Sequence, residues 1–404
     1  MSDREGLLIS SGPLAAARSA LAPAFTVEQE AGTGEPVVRD DLGKIVCRLA
    51  VAVAPGAGWW VELQPLRGYD KERERIEWLL LQHGFTPAAD WANVDVAMEP
   101  LERSDVVVAR VLLRLREIQD QNLPGTLVGT DIEYLHDFRV AIRRTRSVLR
   151  EMRRVFAPAD VARVRASFKW LQDLTSATRD LDVYLRDFDE LRAMAPGTMQ
   201  ADLEPLQALL SARHRGARAA MEEGLRSERA RTLHTEWLEI LEVLVFEDEA
   251  ERPDAARPIG ELTAARVRKV HRRMVRMGRA ITPPSPPQDY HELRKKGKEL
   301  RYLLELFAKP LFDGEVVRPM IKSLKGLQDV LGLHQDREVQ MEMLKEIASS
   351  LVSKPGGAGA LMAIGVLIER LEADAEAARG SFAASFAEFA SEAQCKLVAD
   401  AFSR

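Results

Sequence analysis

The chain has 404 residues, which is too long for one ordinary domain and sufficient for two or three. Hydrophobic residues make up 46% of the sequence and charged residues 29%, so intrinsic disorder over most of the length is excluded. The net charge is −5, which argues against indiscriminate coating of nucleic acid or anionic membranes by the whole molecule. Cys47 and Cys395 lie far apart in sequence and form no disulfide framework, which indicates a reducing compartment.

The sequence predicts a soluble cytoplasmic protein. The first residues carry acidic side chains early and lack an apolar core of signal-peptide length. The most apolar short run, Leu361 to Ile368, is far below the roughly 20 residues that a membrane-spanning helix needs. No membrane association is therefore expected.

Residues 1–95 are predicted to form a small α+β module. Lys44–Ala54 and Trp59–Leu63 are short, rich in β-branched or aromatic residues and bounded by glycines and prolines, a pattern typical of strands. Asp70–His83 carries apolar residues at helical spacing, and Gly84 follows where a helix C-cap is expected. The segment is therefore predicted to be a helix.

Residues 104–402 are helical in composition and contain a tandem repeat. The segment from Leu135 aligns without gaps on the segment from Tyr290, and the segment from Leu171 aligns on that from Leu327. Two matched segments in the same order predict a duplication of about 150 residues, with roughly four helices in each copy. We place the first copy at 104–247, an acidic, proline-bearing linker at 248–260 and the second copy at 261–402.

Cationic side chains recur at a spacing of three and four residues on three predicted helices. On the first helix they span an arc of about 80°, opposite an apolar wall. The first row is His136, Arg139, Arg143, Arg146 and Arg150; the second copy repeats it as His291, Arg294, Lys298 and Arg301; the third row is Arg266, Lys269, Arg273 and Arg276. Like charges one helical turn apart cost a few tenths of a kcal/mol per pair, so these rows need compensation.

The sequence allows two ways in which the positive charge of these rows could be compensated. The rows either face solvent and local acids, such as Asp180 and Asp336, or they face an anionic ligand. Recurrence on three helices favours the ligand. The planar guanidinium group of arginine matches the geometry of phosphate oxygens. A row of cationic side chains spaced by one helical turn fits a linear polyanion better than a compact metabolite. Aromatic residues are only 6% of the chain and none interleaves with the rows, which weighs against single-stranded nucleic acid.

The duplicated H-x-x-R-x-x-x-[RK]-x-x-R helices, with the following LQD segments, resemble the CHAD domain family over about residues 104–400. The resemblance implies a mainly α fold, with two pseudo-symmetric four-helix bundles around a basic cleft, preceded here by the small α+β module. It also implies binding of inorganic polyphosphate and association with polyphosphate granules. The motifs carry the eight ligand-facing residues His136, Arg139, Arg143, Arg146, His291, Arg294, Lys298 and Arg301; further candidates are Arg150, Lys169, Lys325, Lys322, Arg179 and the Arg266 to Arg276 row.

The N-terminal module looks like the latter part of a CYTH domain, the triphosphate tunnel fold. An active CYTH enzyme needs an E-x-E-x-K motif. The nearest match has Glu28 and Glu30 but Gly32 in place of the lysine. We therefore expect a degenerate remnant without triphosphatase activity.

The sequence predicts a polyphosphate-binding protein with no catalytic residues, no metal and no cofactor. Two alternatives stay open. One is a metal-dependent tri- or polyphosphate phosphohydrolase; the other is a scaffold for another polyanion, such as RNA or an acidic protein. His136–Asp137 resembles the His-Asp pair of a metal phosphohydrolase, but the second copy has His291–Glu292 and the seven histidines are scattered.

Overall fold

The computed structural model describes residues 6–9, 13–22, 24–30, 36–54, 58–66, 68–87, 94–129, 131–246 and 248–403. By backbone contacts the chain divides into two compact units, residues 1–93 with 115–141 and residues 94–114 with 142–404. The domain boundaries predicted from the sequence stay predictions.

The N-terminal region holds an antiparallel sheet and two helices. In its described part the strand order is β2-β3-β4-β5-β1-β6. The strands are β1 (Gly6–Ile9), β2 (Thr26–Gln29), β3 (Pro36–Arg39), β4 (Ile45–Ala54), β5 (Gly58–Pro65) and β6 (Thr86–Pro87); the helices are α1 (Pro13–Leu21) and α2 (Asp70–Gln82). Val46 and Val61 from the sheet bury their side chains with Ile76 and Leu80 of α2. The predicted strands and helix are confirmed, and Gly84 after α2 has the positive φ of +87° that its C-cap position requires.

The remainder of the described chain is helical. The helices of the predicted first copy are α3 (Ser104–Val128), α4 (Ile132–Glu151), α5 (Pro158–Leu174), α6 (Ser176–Arg186), α7 (Phe188–Ala193), α8 (Glu204–Arg226) and α9 (Glu228–Val243). Those of the second are α10 (Ile259–Ala280), α11 (Pro287–Leu303), α12 (Lys309–Leu311), α13 (Gly314–Leu351), α14 (Gly357–Phe389) and α15 (Glu392–Ala401). The predicted mainly α fold with a small N-terminal α+β module is confirmed.

Helix boundaries agree with the predicted duplication, with two local differences. α10 and α11 begin at the repeat equivalents of the first residues of α3 and α4. The long α13 corresponds to α5 and α6, which are separated at Thr175. The Thr175 hydroxyl donates to the carbonyls of Leu171 and Gln172, at 3.1 and 3.0 Å, and such bonds compete with helix continuation. The second difference is a π-helical turn, Leu304–Ala308, between α11 and α12.

One apolar core within the second unit joins the two copies. It combines Leu206 and Leu210 of α8 with Leu344 of α13 and Leu367 of α14, all of them fully buried. Burial of this common apolar surface stabilises the copies together.

The segment 248–260, predicted as a linker, is packed against the start of α3. The Ser104 amide donates to the Arg257 carbonyl at 2.9 Å, and the Asp105 amide donates to the Ala255 carbonyl at 3.0 Å. Arg252 is 1% exposed and donates to the Leu244 carbonyl at 2.7 Å. Its guanidinium also lies 3.6 Å from the Asp105 carboxylate. These buried polar contacts hold the segment in place despite its prolines and acidic residues.

No helix in the part of the chain that the structure describes has the length and apolar character needed to cross a membrane.

Candidate functional site

Two ion pairs join α4 to α11 and the π turn that follows it. Arg144 contacts Glu305 at 3.4 Å, and Arg150 contacts Glu299 at 3.2 Å. Positions 144 and 299 are equivalent in the sequence repeat, as are 150 and 305. The two pairs are therefore related by exchange of the copies, which is the pattern of an isologous contact about a local two-fold axis. The C-terminal part of α4 and α11 consequently run antiparallel, with arginine on the first copy and glutamate on the second.

Three glutamates that are largely buried neutralise part of the cationic rows. Each contacts cations from two positions, which offsets the cost of burying its charge. Glu151 contacts Arg150 at 3.4 Å and Arg266 at 2.9 Å, Glu299 contacts Arg150 and Lys296, and Glu305 contacts Arg144 and, at 2.6 Å, Arg301. Local acids therefore compensate some of the rows. The sequence singles out Glu305 only as the residue that replaces Arg150 in the second copy, and it does not single out Glu151 or Glu299.

Arg143 and Lys298 are two cations of these rows that the glutamates do not compensate. Neither has a hydrogen-bond or ion-pair partner among the described residues, although both are half-buried and the Arg143 Nε is fully buried. The pKa of Lys298 is lowered to about 8, chiefly by burial and in addition by the positive charges of Arg294, Arg143 and Arg301, while Asp336 opposes the shift. Cations of both copies thus act on one lysine. We call Arg143, Arg294, Lys298 and Arg301 the cation cluster.

A basic pocket lies on the first copy, between α4 and α5. It is open, has a volume of about 280 Å³, and is lined by Arg146, Arg150, Arg165 and Lys169 with only Ala162 and Ala166 beside them. Burial lowers the pKa of Arg146; Asp173 opposes this shift, while Arg150 and Arg165 add to it. We call this site the first-copy pocket.

Arg165 is a pocket residue that the sequence analysis missed. It is exposed and has no hydrogen-bond or ion-pair partner in the described part of the chain. It precedes Lys169 by four residues on α5, which places both on one helix face. This spacing is the signal in the sequence that could have identified it.

The other predicted residues differ in their surroundings. His291 shares a 2.6 Å hydrogen bond with the Gln335 side chain, and Arg294 contacts Asp336 at 3.3 Å. Arg266 is held by Glu151, and Lys169 pairs with Asp173. Exposed positions are occupied by Lys269, Arg273 and Arg276 of α10, and by Lys322 and Lys325 of α13; Arg179 is half-buried on α6. His136, half-buried, and Arg139, 7% exposed, belong to the other compact unit.

The structure thus brings two sets of predicted residues together. One is the cation cluster, and the other is Arg146, Arg150 and Lys169 in the first-copy pocket. Among the described residues, no group of three or more histidine, cysteine or acidic side chains is arranged to hold a metal ion.

Comparison with known proteins identifies the helical part of the chain. A model of the CHAD domain family matches residues 109–345. The CHAD domain from the plant Ricinus communis has a similar crystal structure, with a TM-score of 0.55 and 22% sequence identity, over 77% of this chain and 95% of that chain. PptA from Streptomyces chartreusis is similar with a TM-score of 0.53 and 17% identity, over 70% of this chain and 99% of that chain. A search of curated proteins gives no match.

Proposed function

The chain belongs to the CHAD family, whose model covers more than half of it, and from that premise we propose that it binds inorganic polyphosphate. The cation cluster and the first-copy pocket are the proposed contacts. The resemblance of the N-terminal module to CYTH domains stays a prediction.

The observation that carries the proposal is the uncompensated charge of Arg143 and Lys298. Folding removes part of their hydration, and among the described residues no carboxylate pairs with either of them. An isolated charge of this kind is costly, whereas an anion would supply the missing partner. One side chain comes from each copy, so an anion that contacts both bridges the two copies.

Phosphate chemistry fits this arrangement better than a nucleic acid does. Guanidinium groups donate paired hydrogen bonds to phosphate oxygens, and a lysine adds a point charge. The first-copy pocket is lined by cations and alanines, with no aromatic ring on which a base could stack. These features support a ligand made of phosphate groups alone.

We propose a binding role without hydrolysis, and an association of the protein with polyphosphate granules. Incubation with tripolyphosphate and Mg²⁺ or Mn²⁺, followed by measurement of released phosphate, tests the first part. Sustained turnover would establish an enzyme instead. Co-localisation of the tagged full chain with polyphosphate-rich granules in cells tests the second, and a uniform distribution would contradict it.

Binding itself is tested by titration of long-chain polyphosphate, with RNA and heparin as competing polyanions. The wild type is expected to prefer polyphosphate, and a variant carrying Arg143→Gln and Lys298→Gln is expected to bind at least tenfold more weakly. Lys345→Gln is the matched control, because Lys345 is an exposed lysine of α13 outside both proposed contacts. Equal affinity of the double variant and the wild type would refute the proposal, and a preference for RNA would redirect it to nucleic acid.

A further inference from the structure

The first-copy pocket concentrates positive charge in a small volume. Four cationic side chains line about 280 Å³, which is at the lower end of the size of small-molecule sites. Of these side chains, Arg165 has no partner in the described chain and Arg146 bonds only the neutral Gln172 side chain. A compact ligand of high charge density would satisfy such a pocket better than one short stretch of a uniformly charged chain.

The equivalent positions of the second copy lack this concentration of charge. Arg146 corresponds to Arg301, which Glu305 holds at 2.6 Å, and Arg165 corresponds to the apolar Ile321. Glu305 itself takes the position of Arg150 and lies in the π turn that the first copy lacks. The equivalent positions of the two copies are therefore unequal. In the first copy Arg146 and Arg165 have no carboxylate partner among the described residues, although Arg150 and Lys169 are ion-paired, whereas in the second copy Arg301 is held by Glu305 and position 321 carries no charge.

The terminal and internal phosphate groups of a linear polyphosphate differ in charge and in the number of free oxygens. A terminal phosphate has a second ionisation near neutral pH and carries about −1.5 to −2 charges, as a phosphate monoester does. Each internal group carries a single negative charge and has fewer free oxygens. A pocket with several guanidinium groups discriminates in favour of the end group, which offers more charge and more acceptors.

We propose that the first-copy pocket is an end-binding subsite, which holds the terminal phosphate group of a linear polyphosphate and therefore also binds short linear oligophosphates. This inference rests on the proposed function, since it assigns one end of the same polyanion to a defined place. The cation cluster would then contact internal groups of the chain. Arg165 is the residue that distinguishes this subsite from the second copy.

The experiment compares linear tripolyphosphate with cyclic tetrametaphosphate, which has a comparable charge and no end group. Calorimetric titration at one salt concentration is expected to give one tripolyphosphate site per chain and at least tenfold weaker binding of the cyclic compound. Arg165→Ala is expected to weaken tripolyphosphate binding about tenfold while changing tetrametaphosphate binding less than twofold. Arg163→Ala is the matched control, because Arg163 is an exposed arginine of the same helix that pairs with Asp160 at 3.0 Å and does not line the pocket.

Each other outcome has a defined meaning. Equal binding of the linear and cyclic compounds, no tripolyphosphate binding at all, or an Arg165→Ala variant with wild-type affinity overturns the end-binding subsite. If long-chain polyphosphate is still bound in those cases, the proposed function stands. If the wild-type protein does not bind polyphosphate at all, both the end-binding subsite and the proposed function are wrong. ATP provides a further arm, since it also has one terminal phosphate group; an ATP affinity well above that of tripolyphosphate would show that the pocket recognises a nucleotide and overturn the proposal.

Discussion

Replacement of Lys298 by methionine is expected to stabilise the unliganded protein and to weaken polyphosphate binding. The pKa of Lys298 is lowered from its ordinary 10.5 to about 8, so the folded state disfavours the charged form that exists at neutral pH. At about 1.4 kcal/mol per pH unit, this depression corresponds to a cost of up to about 3 kcal/mol below pH 8. Methionine has a similar shape and carries no charge, so the substitution removes that cost.

The gain in stability is measured as the midpoint of thermal unfolding without ligand. For a unit of this size, 3 kcal/mol corresponds to a rise of roughly 5 to 10 °C, which is the upper limit expected. The same variant is expected to lose about ten- to a hundredfold in affinity for long-chain polyphosphate, because a charge-assisted hydrogen bond contributes about 1.5–3 kcal/mol. Lys345→Met, at an exposed position of α13, should change neither quantity. A Lys298→Met protein that is less stable than the wild type and binds as tightly would refute the reasoning, since Lys298 would then be a packing residue.

Three other predictions test the electrostatics. Glu305→Gln is expected to raise the affinity for polyphosphate several-fold and to steepen the logarithmic salt dependence of binding by about 0.7 to 1.4, because it releases Arg301 and Arg144 from their ion pairs. An unchanged titration, or the same gain in the exposed control Glu315→Gln, would contradict this. Polyphosphate affinity of the wild type is expected to fall as the pH rises above about 8, where Lys298 of the unliganded protein loses its proton. Lys298→Arg should abolish this fall, and an equal fall in both proteins would show that another group causes it. Burial lowers the pKa of His271 to about 4, so the stability that neutral His271 contributes is present above about pH 6.5 and is lost as the pH falls towards 4. The midpoint of thermal unfolding should therefore decline less on acidification for His271→Leu than for the wild type. Parallel declines in the two proteins would show that His271 does not cause the loss of stability.

Sequence periodicity identified the cationic residues but could not show which of them are neutralised. A spacing of three and four places Arg143 and Arg146 on one helix face, and it does so for any helix. Whether a carboxylate from another helix faces them depends on tertiary packing. Glu305 contacts the first copy across 161 positions of sequence, and no local pattern encodes that distance. The unequal halves of the site were therefore visible in the sequence only as the difference between Arg150 and Glu305.

Some local structure also follows from residue spacing alone, whereas other local structure depends on contacts that the spacing does not show. The strands and helix of the N-terminal module follow from residue type and from Gly84. The break at Thr175 depends on which hydrogen bonds its hydroxyl makes, and the packing of residues 248–260 depends on the burial of Arg252. Prolines and acidic residues made that segment look like a linker, whereas its carbonyls and one buried guanidinium attach it to α3.

The most direct test of the account is the salt dependence of long-chain polyphosphate binding in a double-mutant cycle of Arg143→Gln and Lys298→Gln. If one polyanion contacts both copies, each single substitution lowers the logarithmic salt slope by about 0.7, and the double variant lowers it by about twice that amount. A slope that depends on only one of the two residues, or on neither, would contradict the claim that cations of both copies hold the same chain.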